Sequence, residues 1–149
     1  MGFHISINEV TAEDWIQLRK LVGFPDIDIV DAKKALNNSL CVIGIKTNDN
    51  ILVGMLRIIG DEAYSFYLND VIVRPGFQNI GIGTELVNAA IIYIKKKYCR
   101  NRMFAVSVFS NKNAQSFYEK LGFYVAKEIP MKIHVRGDKK GTRKDCIDE

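Results

Sequence analysis

Residues 70–84 constrain the chain more than any other stretch. They read Asp70-Val71-Ile72-Val73-Arg74-Pro75-Gly76-Phe77-Gln78-Asn79-Ile80-Gly81-Ile82-Gly83-Thr84. A β-branched run enters a turn at Pro75-Gly76. A second pair of glycines then opens a stretch with helical periodicity over Gly83–Lys97, with Leu86, Val87, Ala90, Ile91 and Ile94 on one broad face. Another β-rich run, Met103–Phe109, follows. Strand, glycine loop, long helix, strand is a crossover that joins parallel strands, and it needs a sheet to lie on.

The flanking segments supply that sheet. Phe3–Ile7 alternates as a strand. Thr11, with Asp14 three residues later, starts a helix carrying Trp15, Leu18 and Val22 on one face, and Gly23 and Pro25 stop it. Asp26–Asn37 reads as a second helix, acidic at its start (Asp26, Asp28, Asp31) and basic towards its end (Lys33, Lys34), as the helix dipole favours. Leu40–Lys46 and Ile51–Ile59 flank the turn Asn48-Asp49-Asn50 as a hairpin, and Tyr64–Val73 extends it to a meander. Ala114, Phe117, Tyr118 and Leu121 recur at helical spacing, and Gly122 closes that helix. Phe123–Val135 reads as a last strand or pair of strands, interrupted at Pro130. The expected fold class is mixed α/β: three layers, α/β/α, around a central mixed, mostly antiparallel sheet.

With 149 residues, 48% hydrophobic and 26% charged, the chain suits one domain with a real core. That domain is expected over residues 1–135. Residues 136–149 are polar and charge-mixed, and are expected to form a mobile tail. The net charge of +4 is spread along the chain without a basic stripe, so nucleic acid is not an expected partner. No run approaches the roughly 20 apolar residues that span a bilayer, so no membrane partner is expected either. Cys41, Cys99 and Cys146 form no C-x-x-C pair, and His4 and His134 lie far apart. Neither a disulfide framework nor a metal site is expected, and a cytoplasmic location is.

The glycine loop is suited to phosphate. The first amides of a helix lack internal partners and sit at the positive end of its dipole. Glycines let a bulky pyrophosphate approach the backbone. Two common phosphate loops fail on particular residues. A Walker A loop needs Gly-Lys after its spacer, and Ile82-Gly83 follows Gly81 instead. A dinucleotide fingerprint beginning at Gly81-Ile82-Gly83 needs a third glycine where Leu86 stands.

The pattern that fits is V-x-P followed by Q-x-x-G-x-G, here Val73-Arg74-Pro75 and Gln78-Asn79-Ile80-Gly81-Ile82-Gly83. It resembles the acyl-CoA loop of the GNAT superfamily of N-acetyltransferases. A second block, Asn111 to Phe123, resembles that family's N-x-x-A-x-x-x-Y-x-x-x-G-F stretch. The resemblance covers Ile51–Tyr124 by motif and the first 50 residues by element order. It implies an acetyl-CoA-dependent acyltransferase that acts on an amine, more expected to be a small molecule than a protein. The alternative is a non-catalytic acyl-CoA binding or sensing module on the same fold.

The resemblance also places site residues. The backbone of Val71, Ile72 and Val73 would pair with the pantetheine arm and the acetyl carbonyl. Gln78, Asn79, Ile80, Gly81, Ile82, Gly83 and Thr84 would hold the pyrophosphate. Asn111 would touch the cofactor arm, although a capping role serves it equally. Tyr118 would protonate the departing thiolate. Chains of this size and family often pair, so a homodimer is compatible with the resemblance. The glutamate that some members place before the asparagine loop has no counterpart in Ala105-Val106-Ser107-Val108. Asp70 is then the nearest carboxylate to the acetyl-binding strand, a candidate general base directly or through water. To admit the pantetheine, the strands must splay, and a bulge near Asn69–Val71 would do that.

Overall fold

The computed structural model describes residues 2–98 and 102–136. The elements run β1 (Phe3–Ile7), α1 (Ala12–Leu21), α2 (Ile29–Asn37), β2 (Cys41–Thr47), β3 (Leu52–Gly60), β4 (Ser65–Val73), α3 (Ile82–Tyr98), β5 (Ala105–Val108), a single 3-10 turn (Lys112–Ala114) and α4 (Gln115–Lys120). The sheet order is β1-β2-β3-β4-β5. The first four strands pair antiparallel, and β5 joins β4 in parallel. This is the mixed, mostly antiparallel sheet expected of the fold class.

α1 and α2 begin where the sequence supplies a cap. Thr11 Oγ1 accepts the Asp14 N–H at 3.1 Å, and Asp28 Oδ1 accepts the Val30 N–H at 2.8 Å. α2 therefore begins later than its acidic run suggested. Helices cover both faces of the sheet. Leu86, Val87, Ala90 and Ile94 of α3 meet Ile43, Ile45, Val53, Leu56, Ile58, Phe66 and Leu68 on one side. Trp15 and Leu18 of α1 and Ala32 of α2 meet Val42, Leu52, Met55 and Ile72 on the other. Two strand residues per turn of pleat point to opposite faces, so the apolar runs of β2 and β3 feed both cores.

Gly54 lets α3 settle on the sheet. A Cβ there would lie 2.7 Å from Ile82 Cγ2 and 3.1 Å from Leu86 Cδ1. The first turn of α3 is thus seated against bare backbone of β3.

One expectation fails. No strand forms over Phe123–Val135 among the described residues. Phe123 packs against Tyr118, but Tyr124, Ile129, Met131, Ile133 and Val135 stand exposed. The alternation of Ile129–Val135 meets the side-chain requirement of a strand. A strand also needs a neighbour to take its amides, and Pro130 offers none of its own. Of the expected C-terminal tail, all but Arg136 lies outside the described residues.

Candidate acyl-donor site

β4 changes character halfway along. Ser65 to Leu68 pair with Ala105 to Val108 of β5. β5 then ends, so Asn69–Val73 keep only β3 as a strand neighbour among the described residues. On the β3 side the register slips. Met55 pairs with Ile72 and Arg57 with Asn69, so β3 advances two residues (57 − 55) while β4 advances three (72 − 69). The extra residue is a bulge, and Asp70 within it has φ 49°. This is the bulge expected near Asn69–Val71. Beyond it Val71 and Val73 turn towards the α3 core and Ile72 towards the α1 core. The strand thereby offers an open edge on the side from which β5 has departed.

That edge leads directly into the glycine loop. Phe77 N–H donates to Arg74 C=O at 3.0 Å, closing a tight turn over Pro75 and Gly76, whose φ is +88°. Gln78 Nε2 donates back to Val73 C=O at 3.2 Å, tying the loop to the strand end. Asn79 and Gly81 take φ of 60° and 94°, and nothing stands within 4 Å of where a Gly81 Cβ would be. Gln78, Asn79, Ile80 and Gly81 are exposed. The Glu85 N–H reaches back to Gly81 C=O at 2.9 Å. The amides of Ile82, Gly83 and Thr84 precede it and have no helical carbonyl to meet. A loop with left-handed turns, ending in free amides at a positive helix end, has the features that suit an anion.

Gly83 joins this loop to the second motif. A Cβ on it would stand 3.2 Å from Phe117 Cζ, so α4 abuts the first turn of α3. The neighbouring Tyr118 is buried, with 8% of its surface exposed. Its ring meets Phe117 at 4.9 Å and Phe123 at 5.6 Å, both edge-on. Burial pushes its phenol above the usual tyrosine range. Asn111 precedes α4, and its Oδ1 accepts the Ala114 N–H at 2.9 Å, leaving its amide nitrogen for other work.

Asp70 sits on the opposite face of the bulge. Arg19 Nη1 donates to Oδ1 at 2.8 Å. Arg57 Nε and Nη2 reach Oδ2, each at 2.7 Å. The two guanidiniums in turn lie over the Trp15 ring, with Cζ to centroid distances of 5.4 Å for Arg19 and 4.7 Å for Arg57. Arg19 and Arg57 went unnoticed in the sequence, and Trp15 was read only as part of the apolar face of its helix. The signal was a lone arginine inside the apolar run Leu52–Gly60, because a charge among core side chains demands a partner.

Two cavities, of about 190 and 540 Å³, lie on the α1 side, the smaller with Arg74 of the loop's entry turn in its lining. The candidate segment is an open strand edge, with β3 alone as its strand neighbour among the described residues. Among the described residues, no group of three or more His, Cys, Asp and Glu side chains is placed to hold a metal ion, and no helix is long and apolar enough to cross a membrane.

Known proteins share this arrangement. The uncharacterized N-acetyltransferase ycf52-like of Prochlorococcus marinus is 32% identical over 122 residues, spanning 78% of this chain and 66% of that protein. The chain spans 61% of the length of the Pyropia yezoensis N-acetyltransferase ycf52 that it also matches. A GNAT-family acetyltransferase from Streptococcus pneumoniae superposes with a TM-score of 0.72 at 25% identity, covering 91% of this chain and 98% of that one. An aminoglycoside N-acetyltransferase in complex with CoA shares the fold, with a TM-score of 0.67 at 20% identity, covering 90% of this chain and 97% of its own. The sequence pattern of the Acetyltransferase (GNAT) family matches residues 7–123, from the end of β1 to the residue after α4's closing glycine. The chain belongs to the GNAT family of acetyltransferases.

Proposed function

We propose that this domain is an N-acetyltransferase that carries the acetyl group of acetyl-CoA to the primary amine of a small molecule. One observation carries the reading: a bulged strand with an open edge at Asn69–Val73 runs without interruption into an exposed loop and the free amides of α3. Pantetheine contains two amides and can complete a strand edge. The pyrophosphate that follows it in CoA needs the kind of anion site that Gln78–Thr84 offer.

The chemistry follows by direct attack. The amine nitrogen donates its lone pair to the thioester carbon, and the carbon–sulfur bond then breaks. The backbone at Val71 takes the acetyl carbonyl. Tyr118 gives its proton to the departing thiolate and regains one, through water, from the acylated nitrogen as the amide forms; its raised pKa keeps the proton in place at neutral pH until then. Asn111 adds a contact to the cofactor arm. The amine must lose a proton first, since an alkyl ammonium is less than about 1% neutral at pH 7. Both Asp70 oxygens already accept from guanidiniums, so we assign that proton to water and give Asp70 a role in holding the strand.

The acceptor enters from the α1–α2 side, opposite the α3 core. Of the three acids before and within the first turn of α2, Asp28 is occupied as its cap, which leaves Asp26 and Asp31 to attract a cation. A homodimer and a cytoplasmic setting belong to the same proposal.

The test uses acetyl-labelled acetyl-CoA with a panel of small amines, polyamines, aryl-alkylamines, amino sugars, aminoglycosides and peptide N-termini. Label recovered in an amide product is the expected result. Tight CoA binding without labelled product for any amine would make the domain an acyl-CoA sensor.

A further inference from the structure

We propose that Arg19 and Arg57 are positioning residues, which lock the bulge of the acyl-donor strand through Asp70 and couple it to the segment between α1 and α2. The catalytic half of this proposal rests on the transfer reading above.

Asp70 holds φ 49°, a left-handed conformation that an L side chain adopts only when something compensates. The compensation is its carboxylate. Arg19 reaches one oxygen at 2.8 Å, and Arg57 reaches the other at 2.7 Å. Side-chain exposures of 14%, 12% and 8% for Arg19, Arg57 and Asp70 place these contacts where solvent screening is weak. If Asp70 relaxed to an extended conformation, its carboxylate would swing away from both partners. Two buried guanidiniums would then lack a counter-charge, which is far costlier than a local backbone strain. The bulge and the ion cluster are therefore one structure. Because the bulge directs Val71 to the open edge, the cluster sets where an acetyl carbonyl can be held.

The same arginines reach in a second direction. Arg19 Nη2 donates to Pro25 C=O at 2.9 Å. Arg57 Nη1 donates to Ser39 Oγ at 3.2 Å and towards Ala35 C=O at 3.4 Å. Pro25 lies between α1 and α2, and Ala35 and Ser39 lie at the end of α2. Arg19 also stacks on Phe24, 5.4 Å from its ring centroid. Each planar guanidinium thus spans from the acyl-donor strand to the acceptor side, with no flexible link between its two ends. Neither Trp15 Nε1 nor Arg19 Nε has a hydrogen-bond partner among the described residues. The cluster accepts that cost, as a site selected for geometry does.

The test compares wild type with Asp70→Asn and Arg57→Lys. Asp70→Asn keeps the shape and removes the charge, and Arg57→Lys keeps the charge and removes the fork. In the ligand-free proteins, amide hydrogen exchange should accelerate at Val71 and Ile72 and, in the same variants, at residues 24–28. Acceleration at only one of the two places, or at neither, overturns the coupling. CoA affinity should stay within about 3-fold of wild type, because the amides of Gln78–Thr84 make no contact with the ion cluster, while kcat with acetyl-CoA falls on the order of 10- to 100-fold, as expected when a reacting group is misplaced by about 1 Å. Wild-type kcat in both variants, or a loss matching only the fraction unfolded, overturns the positioning role. Should Arg57→Lys not fold, Asp70→Asn carries both readouts. A wild-type chain that transfers no acetyl group would sink the transfer reading and the catalytic half of this proposal, whereas the exchange data alone decide the coupling.

Discussion

Replacing Gly54 with alanine tests whether the sheet seats the helix proposed to receive the pyrophosphate. The added methyl would stand 2.7 Å from Ile82 Cγ2 and 3.1 Å from Leu86 Cδ1. Ordinary carbon contacts lie at about 3.5–4.0 Å, so a gap of roughly 1 Å must open. Ile82 is the first residue of α3, is β-branched, and is 3% exposed, so it has little freedom to rotate aside. Overpacking of this kind costs about 1–3 kcal/mol. For a chain of this length, each kcal/mol moves the melting temperature by about 2–4 °C, so a drop of about 2–12 °C is expected. The start of α3 should also lift from the sheet, carrying the amides of Ile82–Thr84 with it. Calorimetry should then show weaker acetyl-CoA binding in the folded variant. A matched variant, Gly81→Ala, meets no neighbour but strains a φ of +94°, so it should lose affinity with a smaller loss of stability. Gly54→Ala with the wild-type melting temperature and wild-type affinity would refute the claim that β3 sets the helix start.

Three further outcomes follow from two titrating groups. Tyr118→Phe should lower turnover by about 10²- to 10⁴-fold with acetyl-CoA affinity retained, because it removes a proton donor and leaves the ring contacts with Phe117 and Phe123. In wild type the alkaline fall in kcat should lie above the usual tyrosine range, since burial raises this phenol and the donor is lost only as pH climbs through the raised value; a pH–rate profile checks both points. Asp61 accepts the N–H groups of Tyr64, Ser65 and Ala63, which hold its carboxyl at about 2. Its folded pKa lies below its unfolded one, so its contribution is complete above about pH 4 and is lost as pH falls towards 2. Asp61→Asn should flatten that part of the melting temperature against pH, and an unchanged acid limb would show that the turn contributes nothing.

Local signals in the sequence carried much of this structure. The Thr11 cap, the Asn48–Asn50 turn, the glycine loop and the periodicity of α3 are each written within a few residues, and each element formed there. Even the bulge was readable, because a strand that must admit a ligand needs one. What escaped was non-local. Arg19 and Asp70 are 51 positions apart, and Arg57 and Asp70 are 13 apart, so nothing in either neighbourhood announces the other. Asp70 therefore read as a candidate general base, with neither of its guanidinium partners in view. Gly54 was legible in principle, since a glycine inside an apolar strand marks a close approach. Phe123–Val135 failed for the opposite reason. Its alternation is a statement about side chains, and strand formation depends on a neighbouring backbone that local sequence does not encode.

The most direct measurement is amide chemical-shift and hydrogen-exchange mapping of the domain with and without acetyl-CoA. Protection and shift changes concentrated at Val71–Val73 and Gln78–Thr84, with a smaller response at Asn111 and Tyr118, are the predicted result. Saturable binding that leaves those amides unchanged and protects another part of the sheet would contradict the account.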